Sequence, residues 1–236
     1  MPGEYDQYSV ETMFKLLKKN GMNTVRVFLS MGRAAGNPGL GGDYKKTMGI
    51  YIPYMENFID FLKKAQKYGI YVLPTFGDNE LPNNEYFQSL SNNAAPQDTF
   101  FTKEGLEAKI KLMTLVYEYV LNRDPSLINT MLALQTQNEF YFDAGQAPFN
   151  QTTGTYTFYA NGQTYDMSSA SERRELANAA VQHYFSEISK AIKALDPGML
   201  ISVGTFSMRV VGKTYEDDLG IFPITDGSKD SRYPLS

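Results

Sequence analysis

The chain has 236 residues and no cysteine, and its 22 Lys and Arg residues against 26 Asp and Glu residues give a formal net charge of −4. This length suits one domain with a buried core, while the acidic balance and the scattered basic residues argue against a nucleic-acid partner. The lack of cysteine excludes disulfides, a thiolate nucleophile and sulfur ligands for a metal.

The first predicted unit is a helix followed by a strand. Apolar residues at helical spacing predict a helix over about residues 10–20, and Gly21 follows as a residue that can take a positive φ and end it. Residues 23–29 are β-branched and mostly apolar, which is typical of a strand buried on both faces.

The same helix-then-strand order occurs three more times along the chain. The predicted pairs are a helix that includes residues 58–62 with a strand at 70–76, a helix at about 102–122 with a strand at 131–135, and a helix at about 171–195 with a strand at 199–203. This alternation selects a parallel sheet with right-handed crossovers, either open or closed into a barrel.

The loops that follow the strands are much longer than those that precede them. They cover about residues 30–52, 77–101 and 143–169. The glycine-rich stretch 36–42 lies in the first loop, but no helix starts where a dinucleotide fingerprint requires one. Barrel enzymes build their sites at the carboxyl ends of the strands, so the asymmetry predicts an elaborated active face on that side.

The third loop contains alternating polar and aromatic residues around Asn161-Gly162. This pattern predicts a β-hairpin insertion at about residues 154–167. On the elaborated face, such a hairpin is either a flap or wall beside the site or an insertion with no role in it. The alternation fits both roles equally well.

The third predicted strand ends in Asn138 and Glu139, where a buried strand emerges onto the elaborated face. Phe140, Tyr141 and Phe142 follow directly. We therefore expect the Glu139 carboxyl group to be partly desolvated and its pKa to be raised. A raised pKa suits a general acid that works near neutral pH.

A family resemblance rests on the Asn138-Glu139 pair and on residues 21–27, Gly-Met-Asn-Thr-Val-Arg-Val, which lead into the first strand. These features resemble the clan of (β/α)8-barrel retaining glycoside hydrolases, closest to family 5, the cellulase and mannanase family. The resemblance spans roughly residues 8–206. It implies hydrolysis of a β-linked oligo- or polysaccharide with Glu139 as the acid/base, Asn138 at the sugar 2-hydroxyl and Arg26 supporting the nucleophile.

The resemblance also implies the architecture. Residues 1–236 would be a partial catalytic domain of the α/β class, an incomplete (β/α)8 TIM barrel that is truncated at both ends and has about strands two to five or six. The family nucleophile is a Glu that ends the seventh strand, and Glu216 lies too early to match it, so no residue is assigned that role. Family 5 enzymes commonly carry a His near the end of the third strand, where this chain has Thr75-Phe76-Gly77-Asp78-Asn79-Glu80.

Polar and aromatic residues at or after strand ends are the candidate substrate contacts. Asp78 and Asn79 carry groups that hydrogen-bond sugar hydroxyls, although a turn that caps the strand is at least as good an interpretation. The aromatic candidates for stacking on sugar rings are Tyr141, Phe142, Tyr86, Phe87 and Tyr44. Each of these rings is also a candidate packing residue.

The resemblance implies a carbohydrate substrate, and the sequence predicts no cofactor and no metal. His183, the single histidine, lies within a predicted helix as a packing or surface residue, which argues against a serine-hydrolase triad and a His-based metal site. Asp217-Asp218 is interpreted as a solvated pair, with a carboxylate-bound calcium ion as the alternative.

The expected location follows from the resemblance, which implies an extracellular or periplasmic protein that is a monomer when complete. No stretch reaches the roughly 18 apolar residues that cross a bilayer, so no membrane association is expected. Residues 1–6 lack the basic start and apolar run of a signal peptide.

Three alternatives to a catalytic Glu139 are open at this stage. The chain could be a carbohydrate-binding relic of such a barrel, without turnover. It could be a barrel enzyme of unrelated chemistry that shares the Asn-Glu pair. Glu139 could also be a structural carboxylate paired with a Lys or Arg, such as Arg26.

Overall fold

The computed structural model describes residues 5–32, 38–77, 81–139, 141–204 and 232–233. Its elements are α1 (Gln7–Lys19), β1 (Thr24–Phe28), α2 (Ile52–Tyr68), β2 (Tyr71–Thr75), α3 (Glu85–Leu90), α4 (Asp98–Phe101), α5 (Lys103–Arg123), a 3-10 helix (Pro125–Thr130), β3 (Leu134–Gln135), β4 (Phe142–Asp143), β5 (Thr155–Thr157), β6 (Thr164–Asp166), α6 (Ala170–Leu195), β7 (Ile201–Ser202) and β8 (Arg232–Tyr233). Some residues discussed in the sequence analysis lie outside the described residues: Asp78, Asn79, Glu216, Asp217 and Asp218.

The central sheet contains four parallel strands in the order β1-β2-β3-β7. Phe28 lies opposite Thr75, Thr75 opposite Gln135, and Gln135 opposite Ser202. The carboxyl ends of all four strands therefore meet along one edge. The sequential order of neighbouring strands and the intervening helices confirm the predicted α/β class.

The helices pack their apolar side against this sheet. In α2 the predicted apolar residues Phe58, Ile59, Phe61 and Leu62 are all buried. The helix ends at Gly69, whose φ of 62° lies in the left-handed region that favours glycine. Local signals thus fix both the buried face of α2 and its end.

The burial predicted for β1 on both faces is wrong. Val25 and Val27 pack against the core, whereas Thr24, Arg26 and Phe28 are exposed. β1 is the edge strand of the described sheet, and successive side chains of a strand point to opposite faces. One face of β1 therefore packs on the helices, and the other is covered by none of the described residues.

The strands are shorter than predicted, and one of the long loops contains helices that were not predicted. β3 and β7 each have two residues, where five were predicted, and Met131 adds only an isolated bridge to Val72. The loop after β2 contains two short helices, α3 and α4. In the loop after β4, β5 and β6 pair antiparallel as a hairpin, at the place where the sequence predicts one.

Asn84 joins the loop after β1 to the loop after β2. Its side chain is fully buried. The amide nitrogen donates to the carbonyl oxygens of Gly41 at 3.0 Å and Gly49 at 2.9 Å, and the amide oxygen accepts from the Phe87 backbone N–H at 3.0 Å. A single side chain therefore satisfies two loop carbonyls and caps the start of α3.

We expect Asn84→Ala to lower the free energy of unfolding of the full-length protein by about 2–3 kcal/mol, because it leaves buried polar groups of both loops without partners. Urea denaturation monitored by circular dichroism measures this change. Asn20→Ala is the matched control, because Asn20 is exposed and its amide donates a single hydrogen bond to Leu16. Equal effects of the two substitutions would contradict the role given to Asn84.

Candidate active site

Asn138 and Glu139 follow β3 at the carboxyl edge of the sheet. The Asn138 backbone N–H donates to the carbonyl oxygen of Gly77, just beyond β2, at 2.9 Å. The carbonyl oxygen of Gln137 accepts from the N–H of Gly204, just beyond β7, at 3.1 Å. The segment that carries the amide and the carboxylate is thus held between the ends of both neighbouring strands.

Two further contacts fix the ends of these neighbours. A Cβ atom on Gly204 would overlap with the Asn138 carbonyl oxygen, so the close approach of β7 requires glycine at this position. At the end of β2, the fully buried Lys109 on α5 donates from Nζ to the Phe76 carbonyl oxygen at 3.0 Å. The edge that surrounds Glu139 is therefore built from specific polar contacts.

Arg26 lies beside this segment and connects three strands. Its Nε donates to Oε1 of Gln135 at 2.6 Å and to Oγ1 of Thr75 at 3.1 Å. Its Nη2 donates to Oδ1 of Asn138 at 2.8 Å, and its guanidinium lies over the Phe28 ring, 4.7 Å from the centroid. The structure thus brings Arg26 and Asn138 into direct contact.

The surroundings of Arg26 differ from those expected for a residue in a strand that is buried on both faces. Arg26 is exposed. Its hydrogen bonds described above go to uncharged oxygens. These acceptors fix the position and orientation of the guanidinium on the exposed face of β1.

Sequence reasoning missed Thr75 and Gln135. Both are buried, and the Thr75 hydroxyl donates to Oε1 of Gln135 at 2.9 Å. Each is a polar residue at the end of an otherwise apolar strand. That signal, repeated on adjacent strands, was sufficient to identify a polar cluster around Arg26 at this edge.

The desolvation expected for Glu139 is wrong for the described structure, in which this residue is exposed. Phe142 does not flank the carboxylate as a wall. It is fully buried in an aromatic cluster, with ring centroids 5.2 Å from Phe100, 4.9 Å from Phe101 and 5.4 Å from Phe149. The Phe142 ring therefore packs in the core.

The aromatic candidates divide by burial. Phe142 and Phe87 are both 0 % exposed, so their assignment as stacking platforms for sugar rings is wrong: neither ring presents a face to solvent. Tyr86 is partly buried and packs edge-on against Phe87 at 5.1 Å. Tyr141 is partly buried and Tyr44 is 46 % exposed, so these two remain the better-placed predictions.

His183 is a packing residue, as predicted. Its ring lies edge-on to Phe158 at 6.1 Å and to Tyr159 at 5.5 Å, both in the hairpin region. In the part of the chain that the structure describes, no cluster of three or more His, Cys, Asp or Glu residues is arranged to hold a metal ion.

Comparison with known proteins identifies relatives of this fold. The family model described as Cellulase (glycosyl hydrolase family 5) matches residues 2–229. No curated protein matches the chain. The similar solved structures align with most of this chain, but their sequence identity to it is low.

Three of these structures illustrate the likeness. The endo-β-1,4-mannanase from Rhizomucor miehei aligns with a TM-score of 0.55 and 19 % identity over 91 % of this chain and 57 % of its own. An endo-β-1,4-mannanase from Thermotoga petrophila gives 0.54 and 15 % over 85 % of this chain and 40 % of its own. The exo-β-1,4-mannosidase from Opitutaceae bacterium strain TAV5 gives 0.52 and 14 % over 87 % and 29 %.

These likenesses establish the fold. With the family match, they confirm the predicted (β/α)8 fold, of which the four-stranded sheet described here is a part. The chain spans 40 % and 57 % of the two mannanases that it matches.

Proposed function

The chain belongs to glycosyl hydrolase family 5, the cellulase family, and from this premise we propose that the protein hydrolyses β-linked glycosides with retention of configuration. Glu139 is the acid/base in this proposal, Asn138 binds the sugar 2-hydroxyl, and Arg26 supports the nucleophile. The observation that carries it is the position of Asn138 and Glu139 at the carboxyl edge of the sheet, where Arg26 binds the Asn138 side chain.

The reaction has two steps. In the first, Glu139 gives its proton to the leaving oxygen as the glycosidic bond breaks and a second carboxylate bonds to the anomeric carbon. In the second, Glu139 takes a proton from the water molecule whose oxygen replaces that carboxylate. The two carboxyl groups must lie about 5 Å apart. We assign the second carboxylate to no residue of this sequence.

Arg26 also determines which way the Asn138 amide faces. Because the guanidinium donates to Oδ1, the Nδ2 group is directed away from Arg26 and is the donor available for a sugar hydroxyl. Glu139 is exposed here, so its carboxyl group is accessible to a sugar bound at this edge of the sheet.

The proposed substrate is a β-linked polysaccharide, with β-1,4-mannan as the first to test, because two of the similar structures are named as endo-β-1,4-mannanases. Tyr141 and Tyr44 are the proposed stacking surfaces, since both are accessible at least in part. Asp78, Asn79 and Tyr86 are proposed as further contacts. Polymeric substrates of this kind are found outside the cell, so we propose an extracellular or periplasmic, monomeric enzyme without a cofactor or metal.

Membrane insertion has no support among the helices. Within the described ranges, none is both long enough and apolar enough to cross a bilayer.

Carbohydrate binding without turnover is the second candidate function. It requires no second carboxylate and uses the same contact between Arg26 and Asn138. In that case Asn138 and Arg26 would contribute to sugar binding, and no bond would be broken.

The test is to express the complete reading frame and to assay it on β-mannan, β-glucan and aryl β-glycosides. We expect reducing ends to be released, and proton NMR to show the β-anomer as the first product. An α-anomer formed first would contradict the retaining mechanism. Binding by calorimetry without release of reducing ends would favour the second candidate function, and neither binding nor cleavage would exclude both.

A further inference from the structure

A buried hydrogen bond holds the side chain of Gln137, two residues before the candidate proton donor Glu139. Gln137 and Tyr184 are both 0 % exposed, and the Gln137 side-chain amide donates from Nε2 to the Tyr184 hydroxyl at 2.7 Å. Buried polar groups are costly unless they are paired, so this contact is a defined part of the packing between α6 and the segment after β3.

Tyr184 is held in place by its neighbours. Its ring stacks on Phe100 at 4.0 Å with an interplanar angle of 20°, and Phe185 packs edge-on against it at 5.1 Å. Burial raises the pKa of the Tyr184 phenol well above its usual range, which keeps the hydroxyl neutral. The ring therefore presents an uncharged hydroxyl at a fixed point on α6.

Gln137 connects this fixed point to Glu139. β3 ends at Gln135, so Gln137 and Glu139 lie beyond the regular strand. The backbone there is held by the bonds to Gly77 and Gly204, which come from neighbouring strands of the sheet. The Tyr184 contact adds support from the helix layer, two residues before the carboxylate.

We propose that Tyr184 is a positioning residue for Glu139 and acts through Gln137. The hydroxyl fixes the Gln137 side chain, and this fixes the height and direction at which the Asn138-Glu139 segment leaves the sheet. The proposal rests on the proposed function, because it assigns Glu139 as the proton donor.

The test is Tyr184→Phe in the full-length protein, which keeps the stacked ring and removes only the hydroxyl. We expect kcat/KM for aryl glycosides with poor leaving groups to fall by about 10-fold, since a misplaced proton donor slows protonation of the leaving oxygen. Activated leaving groups such as dinitrophenolate depart without a proton, so their kcat/KM should change by less than about twofold. The ratio of the two values is the diagnostic readout.

Tyr117→Phe is the matched control. Tyr117 lies on α5 and is also buried, and its hydroxyl donates to Asp196 at 2.9 Å. Tyr117→Phe therefore also removes one hydrogen-bonded phenol oxygen from the core, but it leaves the bond between Gln137 and Tyr184 intact. A purely structural loss lowers both kcat/KM values equally and leaves their ratio unchanged. We expect that result for Tyr117→Phe, and its appearance in Tyr184→Phe would overturn the proposal.

Gln137→Met tests the same link from its other end. We expect Gln137→Met to shift the ratio of the two kcat/KM values as Tyr184→Phe does. The double variant should shift this ratio no further, because both substitutions break the same hydrogen bond. Additive effects would overturn the link. Gln137→Met also replaces Tyr184→Phe if that variant does not fold.

Hydrogen–deuterium exchange of the peptide that contains Asn138 and Glu139 tests the positioning without turnover. Exchange should be faster in Tyr184→Phe than in the unsubstituted protein and unchanged in Tyr117→Phe. Unchanged exchange in Tyr184→Phe would overturn the positioning role. An unsubstituted protein that cleaves no glycoside would instead overturn the proposed function, so the two failures are distinguishable.

Discussion

Replacing Glu139 with Gln in the full-length protein is expected to lower kcat/KM on β-linked polysaccharide by about 1000-fold. The amide keeps the size of the side chain, but its N–H protons are not acidic enough to protonate the leaving oxygen. Release of reducing ends from mannan and glucan measures the loss. Because glycosides with activated leaving groups do not need the proton, their kcat/KM should fall far less.

A companion variant, Glu139→Ala, tests the second step. It opens space beside the anomeric carbon, and added azide needs no general base to attack there. We expect azide to accelerate turnover of activated glycosides and to give a glycosyl azide of β configuration, which NMR identifies.

The control for both variants is Glu11→Gln. Glu11 lies on α1 and pairs with Lys67, in the last turn of α2 before β2 begins, and so at the opposite edge of the sheet. It should turn over substrate at the rate of the unsubstituted protein. If Glu139→Gln did the same, Glu139 would have no part in the mechanism.

Arg26→Lys is expected to lower kcat/KM by about 100-fold with little change in stability. The guanidinium reaches Gln135 and Asn138 at the same time through two different nitrogens, at 2.6 Å and 2.8 Å. A lysine ammonium is a single point of charge and cannot reproduce this planar fork. The Asn138 amide would lose the contact that sets its direction, and the sugar 2-hydroxyl would lose an oriented donor.

Steady-state kinetics on the best substrate of the panel, together with thermal unfolding, measures this effect. Arg123→Lys is the matched control, because Arg123 ends α5 and pairs with Glu56 at 2.9 Å, with its side chain 51 % exposed. It should change kcat/KM by less than about twofold. Equal losses from the two substitutions would show that Arg26 has no special role.

The helices were predictable because their signals are local. Apolar spacing placed Phe58 to Leu62 on the buried side of α2, and Gly69 marked its end. The fourth helix was predicted from residue 171 and begins at Ala170. Spacing, caps and breakers act within a few residues of one another, so the sequence alone contains them.

The strands were less predictable because their lengths depend on partners. Residues 131–135 read as one strand, yet regular pairing covers only Leu134 and Gln135, since the ladder requires matching geometry from both β2 and β7. The exposure of Arg26 has the same origin. A run of apolar and β-branched residues does not show that one face of an edge strand is exposed because no other element packs against it.

In the candidate site, the place of the polar residues at the sheet edge was predictable, whereas the direction in which the aromatic side chains point was not. Alternation of elements placed Asn138 and Glu139 at the carboxyl edge, because parallel strands all end on the same side. Whether Phe142 and Phe87 face the substrate or the core depends on the path of the chain after the strand, and both face the core. The contact between Gln137 and Tyr184 joins residues 47 positions apart, beyond the reach of any local pattern.

The three hydrogen bonds of the Asn84 side chain limit how the loops can be exchanged to alter the choice of polysaccharide. Residues 38–51 and 81–84 behave as one piece, since the same amide satisfies Gly41 and Gly49 in the first segment and starts α3 after the second. A graft taken from a relative must therefore transplant the two segments together. Exchanging either one alone would leave buried peptide carbonyls without hydrogen-bond partners, and we expect the chimera to be less stable than one in which both segments are exchanged.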